Sequence, residues 1–376
     1  MDNAILDAIR DGGFSLPRLT ETCPELSALK QVPQNLAWHG EGDAYRHTEL
    51  VCEALTASSE WNALSAAQQP LLFLAAAFHD IGKTVCTRQE DGNWVSPKHT
   101  VVGEKMFRRM VYRDAQRFGL SFREREAVAK FIRFHGLPVW FWTKRRPAFD
   151  LCRAAESIPL RLLSLLSKAD IVGRITGNTD CLLDQVEMFQ DYAAELGIRE
   201  TPYPFANSYT RFRYFHKDDL SHDAVLYDNT TFDVILLSGL PLSGKDTWIA
   251  ENGAGLPVVS LDDIRETMRI APGKHSGRVA QTALEQARVF LRRGEPFIWN
   301  ATNIVRETRQ KLVRLFADYG ARVHILYLEA PLQELLRRNR KRPRHIPESV
   351  LEDMIRKLEV PAPWEAYEVR LLPQNI

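Results

Sequence analysis

Apolar side chains recur at every third or fourth position from about Pro33 to Gly197, and that period predicts helices. The stretches His47–Ala57, Gln69–Ile81, Val101–Phe118, Arg123–Phe134, Leu160–Ile171 and Cys181–Leu196 carry it, with no strand-like alternation between them. From Thr201 to Asn229 the chain turns aromatic, polar and turn-rich: TPYPFANSYTRFRYFHKDDLSHDAVLYDN. This reads as a connector, and its aromatics argue for a packed segment rather than a flexible tether. Beyond it, β-rich runs at Val234–Ser238, Pro257–Ser260, Phe297–Trp299 and Val323–Leu328 alternate with helical stretches. Those helices lie near Lys245–Glu251, Ile264–Ile270, Val279–Arg293, Glu307–Tyr319, Leu332–Lys341 and Pro347–Leu358. Such alternation implies a parallel sheet covered by helices. The expected fold is multidomain: an all-α domain over 1–200, a connector over 201–229, and an α/β domain over 230–376. No internal repeat is evident.

Composition narrows the class. A chain of 376 residues suits two domains, and 45% hydrophobic with 26% charged residues is ordinary for a soluble globular protein. No apolar run approaches the roughly 20 residues of a membrane span. The first residues, MDNAILDAIRDGG, lack the basic-then-apolar pattern of a signal peptide, so a cytoplasmic location is expected. Cys23, Cys52, Cys86, Cys152 and Cys181 are scattered without C-x-x-C spacing, and read as incidental thiols rather than zinc ligands or disulfides. The net charge of +1 means that any nucleic-acid binding must use local patches. After Thr230 there are 22 Lys+Arg against 18 Asp+Glu, which leaves 27 against 30 before it. A metal site in the first part and an anion site in the second fit that division.

The sharpest feature of the helical part is His79-Asp80 in AAAFHDIGK, at the end of the apolar run Leu71–Phe78. Burying such a pair is costly unless something pairs with it, and a divalent metal is the simplest partner. His47 lies upstream in EGDAYRHTEL and Asp170 downstream in SKADIVGR. Imidazole nitrogen with carboxylate oxygen suits transition metals better than Mg²⁺ alone. The pattern H…HD…D resembles the HD phosphohydrolase superfamily, matched here by His47, His79, Asp80 and Asp170. The resemblance implies an all-α HD domain holding one or two ions of the Mn²⁺, Ni²⁺, Co²⁺ or Cu²⁺ type. It also implies a second metal position with His99 and His135, bridged by Asp80. One metal would then polarise the phosphoryl oxygen and the other supply hydroxide. The plainer alternative has His99 capping a helix and His135 ending one. Lys83, Arg46 and Arg174 are candidates for substrate phosphate, or else structural ion pairs. Arg174 is the best of them, one helical turn after Asp170 on the same face.

In the α/β part, strand VILLS runs into Gly239-Leu-Pro-Leu-Ser243-Gly244-Lys245-Asp246-Thr247. This is G-x-x-x-x-G-K in the strand–loop–helix setting of a P-loop. Backbone N–H groups around Gly239, Ser243 and Gly244 would surround ATP phosphate at a helix N-terminus, and Lys245 would neutralise the β- and γ-phosphates. Asp246 stands where Ser or Thr usually binds Mg²⁺, and a carboxylate is a good hard ligand, directly or through water. Thr247 is adjacent but faces elsewhere on the helix.

The next strand ends in Ser260-Leu-Asp262-Asp263-Ile-Arg265. An acid beyond the carboxyl end of a strand can take a proton from an acceptor hydroxyl. Asp-Asp-x-Arg resembles the 5′-kinase module of polynucleotide kinases, which implies Asp262 as general base and Arg265 on the acceptor's 3′ phosphate. An N-cap Asp beside a surface Arg is the alternative. The basic run from Arg337 to Arg344 contains R-N-x-x-R, which resembles the lid of those kinases. By that likeness Arg338 and Arg342 reach the ATP phosphates, while Arg340 and Lys341 face nucleic-acid backbone. In WNATN, Thr302 and Asn303 stand at the sheet's carboxyl edge, for substrate contact or strand-end capping. That strand shows no acid for Mg²⁺, which raises the importance of Asp246.

The order of the two modules resembles the bacterial HD-Pnk family of RNA end-healing enzymes, over roughly Pro33 to Leu358. The resemblance implies an NTP- and Mg²⁺-dependent 5′-OH kinase joined to a phosphohydrolase for 2′,3′-cyclic, 2′ or 3′ phosphates. Partners would be RNA or DNA ends and a separate RNA ligase. An HD nucleotidase fused to a nucleoside or small-molecule kinase is the alternative, and a nucleotide-regulated HD sensor is a third reading.

Overall fold

The computed structural model describes residues 5–35, 38–271, 275–342 and 345–374. The chain divides into two compact units, Met1–Tyr203 and Pro204–Ile376.

The first unit is helical. Its longer elements are α1 (Ile5–Asp11), α2 (Leu16–Thr22), α3 (Ala44–Ala57), α4 (Gln68–Phe78), α5 (His99–Arg113), α6 (Phe122–Phe134), α7 (Pro147–Ala155), α8 (Leu160–Val172) and α9 (Thr179–Glu195). Helix α4 explains the layout. Residues Leu72 to Phe78 are all buried, so the helix is apolar on every side and must be surrounded. Helices α3 and α6 pack on it, α8 packs on α3, and α5 packs on α6. Polar caps set the starts: the Asp43 carboxylate accepts from the Arg46 N–H at the head of α3, and Ser121 and Glu124 form a capping box on α6. One expectation fails. A small antiparallel hairpin, β1 (Arg88–Glu90) with β2 (Asn93–Val95), interrupts the helices. It is too short for a period to show, and Asp91 and Gly92 take positive φ at its turn.

The second unit holds a five-stranded parallel sheet. Its strands are β3 (Phe232–Ser238), β4 (Val258–Ser260), β5 (Phe297–Asn300), β6 (Ala321–Glu329) and β7 (Glu368–Pro373), in the order β4-β5-β3-β6-β7. Helices α10 (Ser208–His216), α11 (Lys245–Asn252), α12 (Leu261–Thr267), α13 (Ser276–Arg293), α14 (Arg306–Asp318), α15 (Leu332–Arg340) and α16 (Glu348–Lys357) accompany it. Central β3 has Val234, Leu236 and Leu237 fully buried, as expected of a strand covered on both faces.

Residues 204–229, expected as a packed connector, fold with this unit. Phe212 of α10 is buried in its core, and the Arg211 guanidinium donates to the carbonyls of Pro363 and Tyr367. Tyr209, Phe212, Tyr214 and Phe215 of that stretch are buried packing groups, whereas Tyr227 is exposed. Strand β7 escaped the sequence reading because it is a half-exposed edge carrying Glu368 and Arg370. Helix α12 begins three residues before the expected Ile264, because the Ser260 hydroxyl accepts from the Asp263 N–H and caps it there.

Candidate functional site

In the first unit, helices deliver six side chains to one buried point. His47 comes from α3. His79 and Asp80 follow the end of α4, His99 opens α5, His135 follows α6, and Asp170 lies in the last turn of α8. His47 Nε2 is 3.0 Å from Asp170 Oδ1 and 3.8 Å from Asp80 Oδ2. His79 Nε2 is 3.2 Å from Asp80 Oδ2, and His99 Nε2 is 3.4 Å from Asp80 Oδ1. The His135 ring centre is 5.0 Å from that of His79 and 5.5 Å from that of His99. Two glycines allow the convergence. A Cβ on Gly82 would meet the His99 carbonyl oxygen at 2.0 Å, and one on Gly173 would meet the Val51 backbone nitrogen at 2.7 Å. Any side chain there would push His99 from Asp80, or the end of α8 from α3.

Hydrogen bonds fix the orientation of three of the histidine rings. Nδ1 of His79, His99 and His135 each donates to a carbonyl three residues back, Ala76 at 2.7 Å, Ser96 at 2.8 Å and Ile132 at 2.9 Å. The last carbonyls of a helix lack intrahelical donors, so the imidazoles of His79 and His135, just past helix ends, can each take one, while His99 takes a loop carbonyl. Nε2 of each ring then faces inward. Burial, with His79 and His99 nearby, pushes His135 down to about 3, and burial lowers His99, so both rings stay neutral. Burial works against the charged forms of Asp80 and Asp170. His79 and Lys83 nevertheless hold Asp80 well below the usual range, and Arg174 and His47 do so for Asp170.

The site's chemistry fits a metal. His79 Nε2 is buried without a hydrogen-bond partner. His47 stands between two carboxylates, with Nδ1 at 2.9 Å from Glu41 and Nε2 at 3.0 Å from Asp170. Burial opposes a charge on this ring, but Asp170 and Glu41 outweigh it and raise its pKa. A cation on the Asp170 side would replace that proton. His47, His79 and Asp170 form one group whose donor atoms lie within 4.8 Å of one another, and His79, Asp80 and His135 form another.

Of the phosphate candidates, Lys83 Nζ lies 2.7 Å from Asp80 Oδ2 and donates to Gln34 Oε1. Arg174 forks onto both oxygens of Asp170. Arg46 is not among the residues brought to this cluster. One position before His47 it points elsewhere on α3, to an exposed pairing with Glu49. Glu41, His39 and Gln34 were not legible in the sequence. Glu41 accepts from His39 and His47 and from the Ile175 N–H, and so ties the turn after α8 to the turn before α3.

In the second unit, β3 runs into the loop 239–244 and then α11. Gly239 has φ 149°, and a Cβ there would meet the Leu328 carbonyl oxygen at 2.3 Å, so only glycine fits. Lys245 folds back on the loop, its Nζ donating to the carbonyls of Gly239 at 3.1 Å and Leu240 at 2.8 Å. Burial lowers its pKa from 10.5 to about 8, against Asp246 and Asp262 and with Arg342 adding to the fall. Ser243 is buried with no partner for its hydroxyl. Asn300, at the end of β5, donates to the Asp246 carboxylate at 2.9 Å. Thr247 lies in the first turn of α11, two residues beyond Lys245.

Asp262 is almost fully exposed and pairs with Arg265 Nη1 at 3.0 Å. The N-cap of α12 is Ser260, so neither Asp262 nor Asp263 caps it, and both lie in the first helical turn. Arg338 donates to the Leu242 carbonyl of the loop at 2.8 Å and to Gln374 Oε1 at 2.8 Å. Gln374, just past β7, also donates to the Ser243 carbonyl at 3.4 Å, a contact that no pattern in the sequence marks. Arg342 follows α15 and is exposed; Pro343 and Arg344 of the basic run lie outside the described residues. Asn303 is a strand-end clasp. Its amide donates to the Leu237 carbonyl at 2.7 Å, and its carbonyl accepts from Ser238 and from buried Arg309. The Thr302 carbonyl accepts from the Gly239 N–H at 2.8 Å.

Residues 234–361 match the AAA_33 family model, described as an AAA domain. The chain is 28% identical over 210 residues to a Multifunctional CCA protein of Vibrio campbellii, covering 56% of this chain and 43% of that one. It is 26% identical over 143 residues to an L-seryl-tRNA(Sec) kinase of Methanococcus maripaludis, covering 36% of this chain and 56% of that one. The chain thus spans about half the length of these curated relatives. A crystal structure of a kinase candidate from Chloroflexus aurantiacus is 20% identical, covering 38% of this chain and 88% of that one, with a TM-score of 0.32. The second unit is a P-loop kinase-like domain. Among the described residues, no helix is long and apolar enough to cross a membrane.

Proposed function

We propose that the chain is a bifunctional nucleic-acid end-processing enzyme. The second unit phosphorylates a 5′-OH from an NTP. The first is an HD-type phosphohydrolase acting on 2′,3′-cyclic, 2′ or 3′ phosphates. The observation that carries this reading is the joining, in one chain, of a P-loop with Asp262 and Arg265 one β-α step away and a buried His/Asp cluster with an orphan Nε2. The similarity to an enzyme named for seryl-tRNA phosphorylation favours an RNA-borne hydroxyl as acceptor.

In the kinase unit the loop N–H groups and Lys245 hold the triphosphate. Arriving phosphate draws Lys245 from the Gly239 and Leu240 carbonyls. Asp262, exposed beyond β4, takes the proton of the attacking 5′-OH, and Arg265 holds the adjoining phosphate of the acceptor. Arg338 and Arg342 bear charge on the transferring group. Asp246, oriented by Asn300, is the residue to hold Mg²⁺. In the first unit His47, His79, Asp80 and Asp170 would hold a transition metal, with His99 and His135 for a second. Such a metal supplies Lewis acidity and a hydroxide at neutral pH. Lys83 and Arg174, at the cluster's edge, orient the phosphate.

The test is end-chemistry analysis of an oligonucleotide carrying both a 5′-OH and a 2′,3′-cyclic phosphate, with labelled ATP. Both ends should change. Label on free nucleosides and none on the oligonucleotide would refute the end-processing reading.

A further inference from the structure

Beside the metal-type cluster, the first unit leaves tryptophans in solvent. Trp38, Trp140 and Trp142 are 38%, 41% and 48% exposed. Trp38 and Trp140 stand edge to face, with ring centres 6.4 Å apart. Each is one step from the cluster. Trp38 precedes His39, whose ring centre is 4.7 Å from that of His47. The Trp140 indole lies over Gly136, which follows His135, at 3.8 Å from where a Cβ would stand. Trp142 rests on Tyr192, ring centres 6.1 Å apart and nearly parallel. Exposed Lys144 and Arg145 follow it in the chain, after Thr143.

Large exposed aromatic faces are costly unless a ligand covers them. Flat apolar faces with cations nearby in the chain match one ligand: bases are π-faces, and the phosphates between them are anions. We infer that Trp38 and Trp140, with Lys144 and Arg145, form a stacking platform for the unpaired nucleotides next to a single-stranded 3′ end. The inference rests on the end-processing reading and extends it. The platform holds the bases while the terminal phosphate reaches the His/Asp cluster. Stacking needs no hydrogen bond to a base edge, so the platform tolerates any base.

The probe is a hexauridylate with a 5′ fluorescein and a 3′-OH, followed by anisotropy on the full chain without NTP. The dye blocks the end that the second unit would take, and the 3′ end is already processed. Trp38→Ala and Trp140→Ala should each weaken binding about 10-fold. Trp38→Phe and Trp140→Phe should keep most of the affinity, which separates stacking from damage to the fold. Replacing Lys144 and Arg145 together by Ala should flatten the dependence of log K on log salt by about 1.4, at roughly 0.7 per phosphate for a single strand. Suppose the Ala variants bind like wild type while the protein still frees phosphate from a 3′-phosphorylated oligonucleotide. The platform is then absent and end processing stands. A wild-type protein that neither binds the hexamer nor frees that phosphate overturns both. Binding to anionic phosphatidylserine vesicles in place of the hexamer would also overturn the proposal.

Discussion

The buried lysine of the P-loop makes nucleotide affinity depend on pH. Lys245 is only 9% exposed, and burial brings its pKa from 10.5 to about 8. Bound triphosphate places negative charge against it and favours the ammonium form. Below about 8 the amine is protonated with or without nucleotide, so affinity is flat. Above that, binding must take up a proton, and affinity falls by up to tenfold per pH unit until the bound lysine itself titrates. If phosphate restores the ordinary 10.5, the whole fall is about 300-fold, or ~3 kcal/mol. The same gap acts on folding. The unfolded chain binds the extra proton between about 8 and 10.5, so without nucleotide the fold gains stability as pH rises through that window. The assay is titration calorimetry with a non-hydrolysable ATP analogue from pH 7 to 10. Two buffers of different ionisation enthalpy report proton uptake directly. Lys245→Met should bind weakly and show no uptake. Wild-type affinity that stays level from pH 8 to 10, or a slope that survives in Lys245→Met, would refute the reasoning.

Other consequences are as direct. Asp262→Asn should cut single-turnover transfer to a 5′-OH oligonucleotide by roughly 10²–10⁴-fold with little change in ATP affinity. Asp263→Ala should be mild, since Ser260 caps the helix; the reverse ranking would sink the assignment of the base. Asp80→Ala should abolish phosphate release and spare the kinase, and Lys245→Ala should do the opposite; loss of both activities in a folded variant counts against two separate sites. Phosphate release should need Mn²⁺, Ni²⁺, Co²⁺ or Cu²⁺, because the donors include imidazole nitrogen, while Mg²⁺ should suffice for the kinase. Full release in Mg²⁺ after stripping of transition metals would contradict this. Glu41→Ala should weaken metal binding by about 10–100-fold, measured by competition with a chelating dye, because Glu41 fixes the proton on His47 Nδ1. Unchanged affinity would make Glu41 a structural contact only.

Much of this protein is determined by the order of its residues. Helical period, strand–helix alternation and the run Gly239 to Lys245 are local properties, and local steric and hydrophobic rules act on neighbours in sequence. His79-Asp80 was legible for the same reason: an ionisable pair at the end of a wholly apolar helix is conspicuous before anything is folded. Only tertiary structure decided which distant groups meet it. Glu41 reaches His47 through a turn that no period marks, and Arg46, adjacent to His47, is turned away by the geometry of α3. Gln374 reaches Ser243 across 131 positions because β7 pairs with β6 beside β3. The stretch 204–229 became part of the second unit because its aromatics found a core to enter, which its composition could suggest but not locate. Asn303, ambiguous as an isolated polar residue, became a clasp once folding placed the Leu237 carbonyl 2.7 Å from its amide. A sequence sets each residue's chemistry and its neighbours along the chain, whereas hydrogen bonds and ion pairs depend on separations of a few ångströms that only the packed chain creates.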